Sequence, residues 1–179
     1  MRLAILISAI TLFLSQNLYA NENGKVVFAM RSEGIAPIGI NFEIGGITNN
    51  IYLTGEFGAG MGLLAFVGGG ILAGRYFEVG KSKKIKLITG GFVGWWDYIF
   101  YISVGEGVDK DDLYLFGGPF FKFLAGGKKV NFDMSIKGMF GYNHFIYNNE
   151  LYGRYKDEKT FFVLPSLQMG VAWVIQRKK

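Results

Sequence analysis

The chain has no cysteine, one histidine and three prolines among its 179 residues. Without cysteine there can be no disulfide scaffold, thiolate metal site, cysteine nucleophile or lipidated lipoprotein cysteine. The lone His144 cannot build a multi-histidine metal centre, and acyl transfer would need a nucleophile and an orienting group beside it. Charge is also sparse, at 18% of residues. A disordered chain is excluded all the same, because half the sequence is hydrophobic and 17% is aromatic. The length suits a single domain. What the chain has in quantity is glycine (27), phenylalanine (17) and tyrosine (10).

Long apolar runs are scarce. Residues 3–14 form one, broken only by Ser8 and Thr11, preceded by Arg2 and followed by a polar stretch ending in Leu18-Tyr19-Ala20. This run is too short to span a bilayer and reads as a secretory signal, with residues 1–20 removed and 21–179 forming the mature domain. Residues 57–74 contain no charge and meet the length test for a membrane helix. Seven of them are glycine, including Gly68-Gly69-Gly70, which is costly inside any helix. They read instead as the end of one strand, a tight turn around Gly60 to Gly62, and a glycine-rich strand.

Elsewhere the hydrophobic period is two. Val130, Phe132, Met134, Ile136, Phe140 and Tyr142 alternate with Asn131, Asp133, Ser135, Lys137, Met139 and Gly141. Phe161, Val163, Pro165, Leu167, Met169, Val171, Trp173 and Ile175 form one wholly apolar face opposite a face that is smaller and more polar in its middle. Ile38 to Gly45 and Ile51 to Phe57 repeat the pattern. Strands of this length exceed the roughly 5 to 6 residues usual in soluble sheets. They suit a tilted membrane span, with lipid covering the apolar face.

Eight strands are expected, at 25–32, 36–46, 50–60, 65–79, 84–98, 112–124, 129–143 and 160–176. An open sheet edge in lipid leaves backbone groups unpaired, so the sheet must close into an antiparallel up-and-down transmembrane β-barrel. Short turns are expected at 46–49, 80–83 and 125–128, and long external loops at 99–111 and 144–159. Trp95, Trp96, Tyr98, Phe100 and Tyr101, with Tyr76, Phe77, Phe121, Phe123 and Trp173, are expected in interfacial aromatic girdles.

Residues 25–176 resemble the small bacterial outer-membrane β-barrels of the OmpA/OmpX-like kind. The resemblance rests on the leader, the eight alternating segments, and glycine-rich aromatic strands such as Gly90-Gly91-Phe92-Val93-Gly94-Trp95-Trp96 and Phe116-Gly117-Gly118-Pro119-Phe120-Phe121. It implies export through the periplasm, insertion by the barrel-assembly machinery, and residence among outer-membrane lipid and lipopolysaccharide. Gln176-Arg177-Lys178-Lys179 stands where many such barrels carry a terminal aromatic.

An eight-stranded barrel is just wide enough for side chains to fill its interior. Parity sends Asn41, Glu43, Tyr52, Thr54, Glu56, Lys122, Asn131, Asp133, Ser135, Lys137 and Gln168 into the lumen, with either Arg75 or Glu78. Glu43, Glu56, Lys122, Asp133 and Lys137 are the expected lumen charge network, since buried charges must pair. A structural plug is one reading of these charges, and a narrow ion or small-solute channel gated by them is the alternative.

The remaining charges segregate by end. Asp97, Glu106, Asp109, Asp111 and Asp112 cluster around Lys110, whereas Lys81, Lys83, Lys84, Lys128, Lys129, Arg177, Lys178 and Lys179 gather where the short turns lie. The net charge of +5 is therefore an end effect suited to anionic headgroups, and no aromatic-interleaved basic groove points to nucleic acid. Asp109, Asp111, Asp112, Tyr147, Tyr152 and Tyr155 are candidate contacts to an extracellular partner through the long loops. The acidic triplet lacks the spacing and glycine of a dedicated calcium loop. No cofactor, metal or catalytic set is expected. A lipid-modifying enzyme using His144 with Ser103 is a further alternative, without a supporting serine motif.

Overall fold

The structure, a computed structural model, describes residues 24–33, 38–61, 65–100, 109–149 and 154–176. Eight strands run in chain order: β1 (Lys25–Glu33), β2 (Ile38–Thr48), β3 (Ile51–Met61), β4 (Ala65–Val79), β5 (Ile85–Phe100), β6 (Asp109–Gly126), β7 (Val130–Asn149) and β8 (Arg154–Gln176). Each pairs antiparallel with its neighbours, and β1 pairs with β8 from Lys25↔Gln176 to Glu33↔Gln168. The sheet is a closed barrel with no open edge around the ring. Residues 57–74 supply parts of β3 and β4, and no helix among the described residues is long and apolar enough to cross a membrane.

The register fixes the width. Followed strand by strand from Lys25 through Ile47, Tyr52, Gly74, Gly90, Phe120 and Lys137, the pairing reaches Ser166 in β8, while the direct β8 partner of Lys25 is Gln176. A stagger of ten residues separates the two. For eight strands this gives a tilt of about 40° and an interior that side chains can fill.

Alternation then decides which side each residue serves. Asn131, Asp133, Ser135, Lys137 and Met139 of β7 are buried, while Val130, Phe132, Ile136 and Phe140 are exposed. Phe42 and Ile44 face out on either side of buried Glu43. Among the described outward side chains of the closed ring, Arg75 alone is charged. Arg75 is exposed on β4 opposite Ile51, the first residue of β3, which is close enough to the rim for its head to reach water. Among the described side chains, two members of the expected girdle belong to the interior instead. Tyr76 is buried against the rim charges, and Trp96 packs inside on Phe116 at 4.7 Å. An aromatic ring is stable on either face of so narrow a barrel, so ring content alone does not assign the side.

The connections differ from expectation in extent. β2 continues to Thr48, and the turn is the pair Asn49 and Asn50, both with positive φ (49° and 62°). This is the two-residue hairpin geometry that asparagine tolerates and that matches strand twist. The turn expected at 125–128 shifts in the same way, because β6 runs to Gly126 and β7 starts at Val130. At the opposite end, most of the expected 144–159 loop is strand. β7 and β8 stay paired from Val130↔Trp173 to Asn149↔Arg154, and β6 accompanies β7 as far as Asp109↔Asn148. β8 leaves its described partner in β1 at Gln168, so β6, β7 and β8 continue past the closed ring as a ribbon.

Candidate functional site

Among the described residues, the lumen holds the densest chemistry. Alternation on five strands turns Arg31 (β1), Glu43 (β2), Glu56 (β3), Lys122 (β6), Asp133 and Lys137 (β7) toward one axis. Three cations meet three carboxylates there, with side chains 8% exposed or less.

Lys122 is the hub. Its Nζ lies 2.9 and 3.0 Å from the two Glu43 carboxylate oxygens, 2.9 Å from Tyr52 Oη and 3.1 Å from Asp133 Oδ2. Tyr52 accepts from Lys122 and donates to Glu43 Oε1, so its hydroxyl closes a ring of three groups. The Arg31 guanidinium donates to Glu43 and stands 3.6 Å from Glu56 and 3.9 Å from Asp133. Lys137 donates to both oxygens of Glu56 and lies over the Phe92 ring at 5.3 Å. Each carboxylate therefore has at least one cation within ion-pair distance. This is the condition under which burial of charge is tolerated, because an isolated buried ion costs several kcal/mol.

Small residues make the room. A Cβ on Gly58 would stand 1.9 Å from Asn41 Oδ1, and one on Gly68 would stand 2.3 Å from Trp96 Cδ1. With these positions stripped to hydrogen, Asn41 and Trp96 fit inside the wall and line a small hollow beside Lys137, with Met139 and Gln168. Phe92, Phe116 and Trp96 pack as tilted rings in a row, with centroids 6.1 and 4.7 Å apart. Val27, Leu72, Ile88, Leu124 and Val174 fill lumen positions nearer the short turns.

A second, smaller group closes the short-turn rim. Glu78 turns inward, 2.6 Å from Lys25 Nζ and 3.3 Å from Lys83 Nζ, and accepts from Tyr76 Oη at 2.9 Å. Arg75 and Glu78 thus part, one to each side of the wall. Lys86, also inward, donates to the Gly127 carbonyl at 2.9 Å and to Asn131 Oδ1.

All five residues expected in the lumen charge network lie in the barrel interior and are brought together there. Sequence reasoning missed Arg31, Lys86 and Ser166. Arg31 was legible in principle, since Lys25, Val27, Ala29 and Arg31 share one parity against Phe28 and Met30. The expected loop contacts are distributed differently. Asp109, Asp111 and Asp112 belong to β6, Tyr147 to β7 and Tyr155 to β8, so all five sit on the ribbon rather than in loops. His144 pairs with Leu113 and Lys159 within that ribbon, and Tyr152 and Ser103 lie outside the described residues. No group of three or more potential metal ligands occurs among the described residues.

Closure, parity and an apolar exterior together define the build. The chain has the architecture of a small outer-membrane barrel. A comparison with solved structures finds similarity to the backbone structure of the Yersinia pestis outer membrane protein Ail in a phospholipid bilayer nanodisc, at 11% identity and a TM-score of 0.44, covering 87% of this chain and all of that one. No protein-family model matches, and neither does any curated protein.

Proposed function

We propose that this barrel resides in the bacterial outer membrane as a structural or surface-interaction protein, with a lumen sealed by ion pairs rather than a conducting path. On this reading residues 1–20 direct export through the periplasm and the barrel-assembly machinery inserts the rest. Outer-membrane phospholipid and lipopolysaccharide then cover the apolar wall. The β6–β8 ribbon, carrying Asp109, Asp111, Asp112, Tyr147 and Tyr155, is the part that reaches an extracellular partner, and no enzyme chemistry is assigned.

The observation that carries the reading is the central cluster of three cations and three carboxylates, each within ion-pair distance of an opposite charge. An ion entering the lumen would have to displace at least one of these pairs and leave a buried charge uncompensated. A channel filter, by contrast, binds ions weakly enough for them to leave again. Purified protein in planar bilayers is expected to show no reproducible current steps. Steps of uniform size that shift on Lys122→Met would overturn the sealed lumen in favour of a gated path.

A further inference from the structure

Among the three described short turns, charge is unevenly shared. The β2–β3 turn is the uncharged pair Asn49 and Asn50, whereas the β4–β5 turn carries exposed Lys81, Lys83 and Lys84, and the β6–β7 turn carries exposed Lys128 and Lys129. Those two basic turns are neighbours. Gly126 N donates to the Lys84 carbonyl at 3.0 Å, and Lys86 Nζ reaches across to the Gly127 carbonyl at 2.9 Å. The acid in this region, Glu78, has turned into the lumen, where Lys25 pairs with it. Lys83 is drawn toward Glu78 as well, which leaves Lys81, Lys84, Lys128 and Lys129 without a carboxylate partner among the described residues.

Directly along the same strands the outer wall is apolar apart from Arg75, which stands one step beyond Phe77 in the outward row of β4. Phe77 and Val79 lead into the first basic turn, Ile85 leads out of it, and Val130 and Phe132 follow the second; all are exposed. A cationic band above a greasy wall fits a molecule with a phosphate head and acyl tails. We infer that this sector of the barrel, from β4 to β7, is a preferred binding site for an anionic glycerophospholipid of the leaflet around the short turns. The phosphate lies among Lys81, Lys84, Lys128 and Lys129, and the acyl chains lie along Phe77, Val79, Ile85 and Val130. The arrangement of cation above and hydrocarbon below matches the two halves of such a lipid, and basic residues near an anionic surface attract it additively. A soluble polyanion would use the lysines but leave the apolar wall unexplained.

The inference rests on the membrane placement proposed above. The test uses the full mature chain in nanodiscs of phosphatidylethanolamine with one part in five phosphatidylglycerol, and native mass spectrometry counts the lipids retained after collisional stripping. Retained phosphatidylglycerol is expected to exceed its bulk fraction severalfold. Joint substitution of Lys81, Lys84, Lys128 and Lys129 by Gln should return it to the bulk fraction, while Lys159→Gln, an exposed lysine at the other end, should leave the enrichment intact. Retention at the bulk fraction in the unsubstituted protein would overturn the site, as would enrichment that survives the fourfold substitution. Failure to enter nanodiscs at all, with a folded monomer in plain buffer, would overturn the membrane placement instead.

Discussion

Glu43 and Ile44 are consecutive residues of β2, and they meet opposite solvents. Glu43 is 1% exposed and held by Arg31, Lys122 and Tyr52, whereas Ile44 is 53% exposed on a wall of other apolar side chains. One residue step moves the chain from an interior where a carboxylate is held by two cations to an exterior where charge is costly. Soluble proteins invert this arrangement. The lesson is that parity, not hydrophobic content, carries the information in such a sheet, because both faces are buried in something and differ only in what covers them.

The comparison is open to attack from either side. The largest effect is expected inside: Glu43→Ala leaves Arg31 and Lys122 with excess positive charge in a closed lumen and should lower the unfolding free energy by about 3 to 5 kcal/mol. Urea titration in liposomes measures this. The same substitution in a Lys122→Met background should cost less, and strictly additive losses would show that the two groups do not act as a pair. A smaller effect is expected one residue away: Ile44→Lys, aimed at hydrocarbon, should cost about 2 to 4 kcal/mol in the same titration. A neutral outcome would mean that protein or water, not lipid, covers that face. Smallest is the rim, where Lys25 and Glu78 are about a quarter exposed, so Lys25→Gln should cost about 0 to 1 kcal/mol. A loss as large as that of Glu43→Ala would place the rim pair in the same sealed environment as the lumen.

Much of this is legible in the sequence. Alternation located eight strands, with β4 at residues 65–79 as expected, and the closed antiparallel barrel follows from the need to pair every edge in lipid. The inward set from Asn41 to Gln168 was readable for the same reason, since period two leaves each residue only two choices. Strand ends were not readable. Polar residues such as Asn148 and Lys159 are acceptable both in a loop and in a ribbon standing clear of lipid, so the pattern at 144–159 reads as loop. Arg75 and Glu78 share neither parity nor fate, yet each is a single charge near a rim, and the burial of Leu72 and Tyr76 on the parity of Glu78 shows which one lies inside. Trp96 and Tyr76 were misassigned because an aromatic side chain fits a girdle and a narrow lumen equally well. The clustering of the two basic turns depends on the β5–β6 register, a tertiary fact with no local signature.

The β1–β8 seam has a kinetic consequence. Lys25 and Gln176 stand at opposite ends of the described chain, yet they are direct neighbours, so the last row of the ring is also the pairing with the longest loop to close. Hairpins such as β2–β3 can zip locally, but ring closure must wait until the C-terminal strand has arrived. Until then both β1 and β8 have bare edges that invite pairing with another chain. Slow arrival of the final strand, rather than weak packing, is therefore where assembly of this protein is most exposed to error.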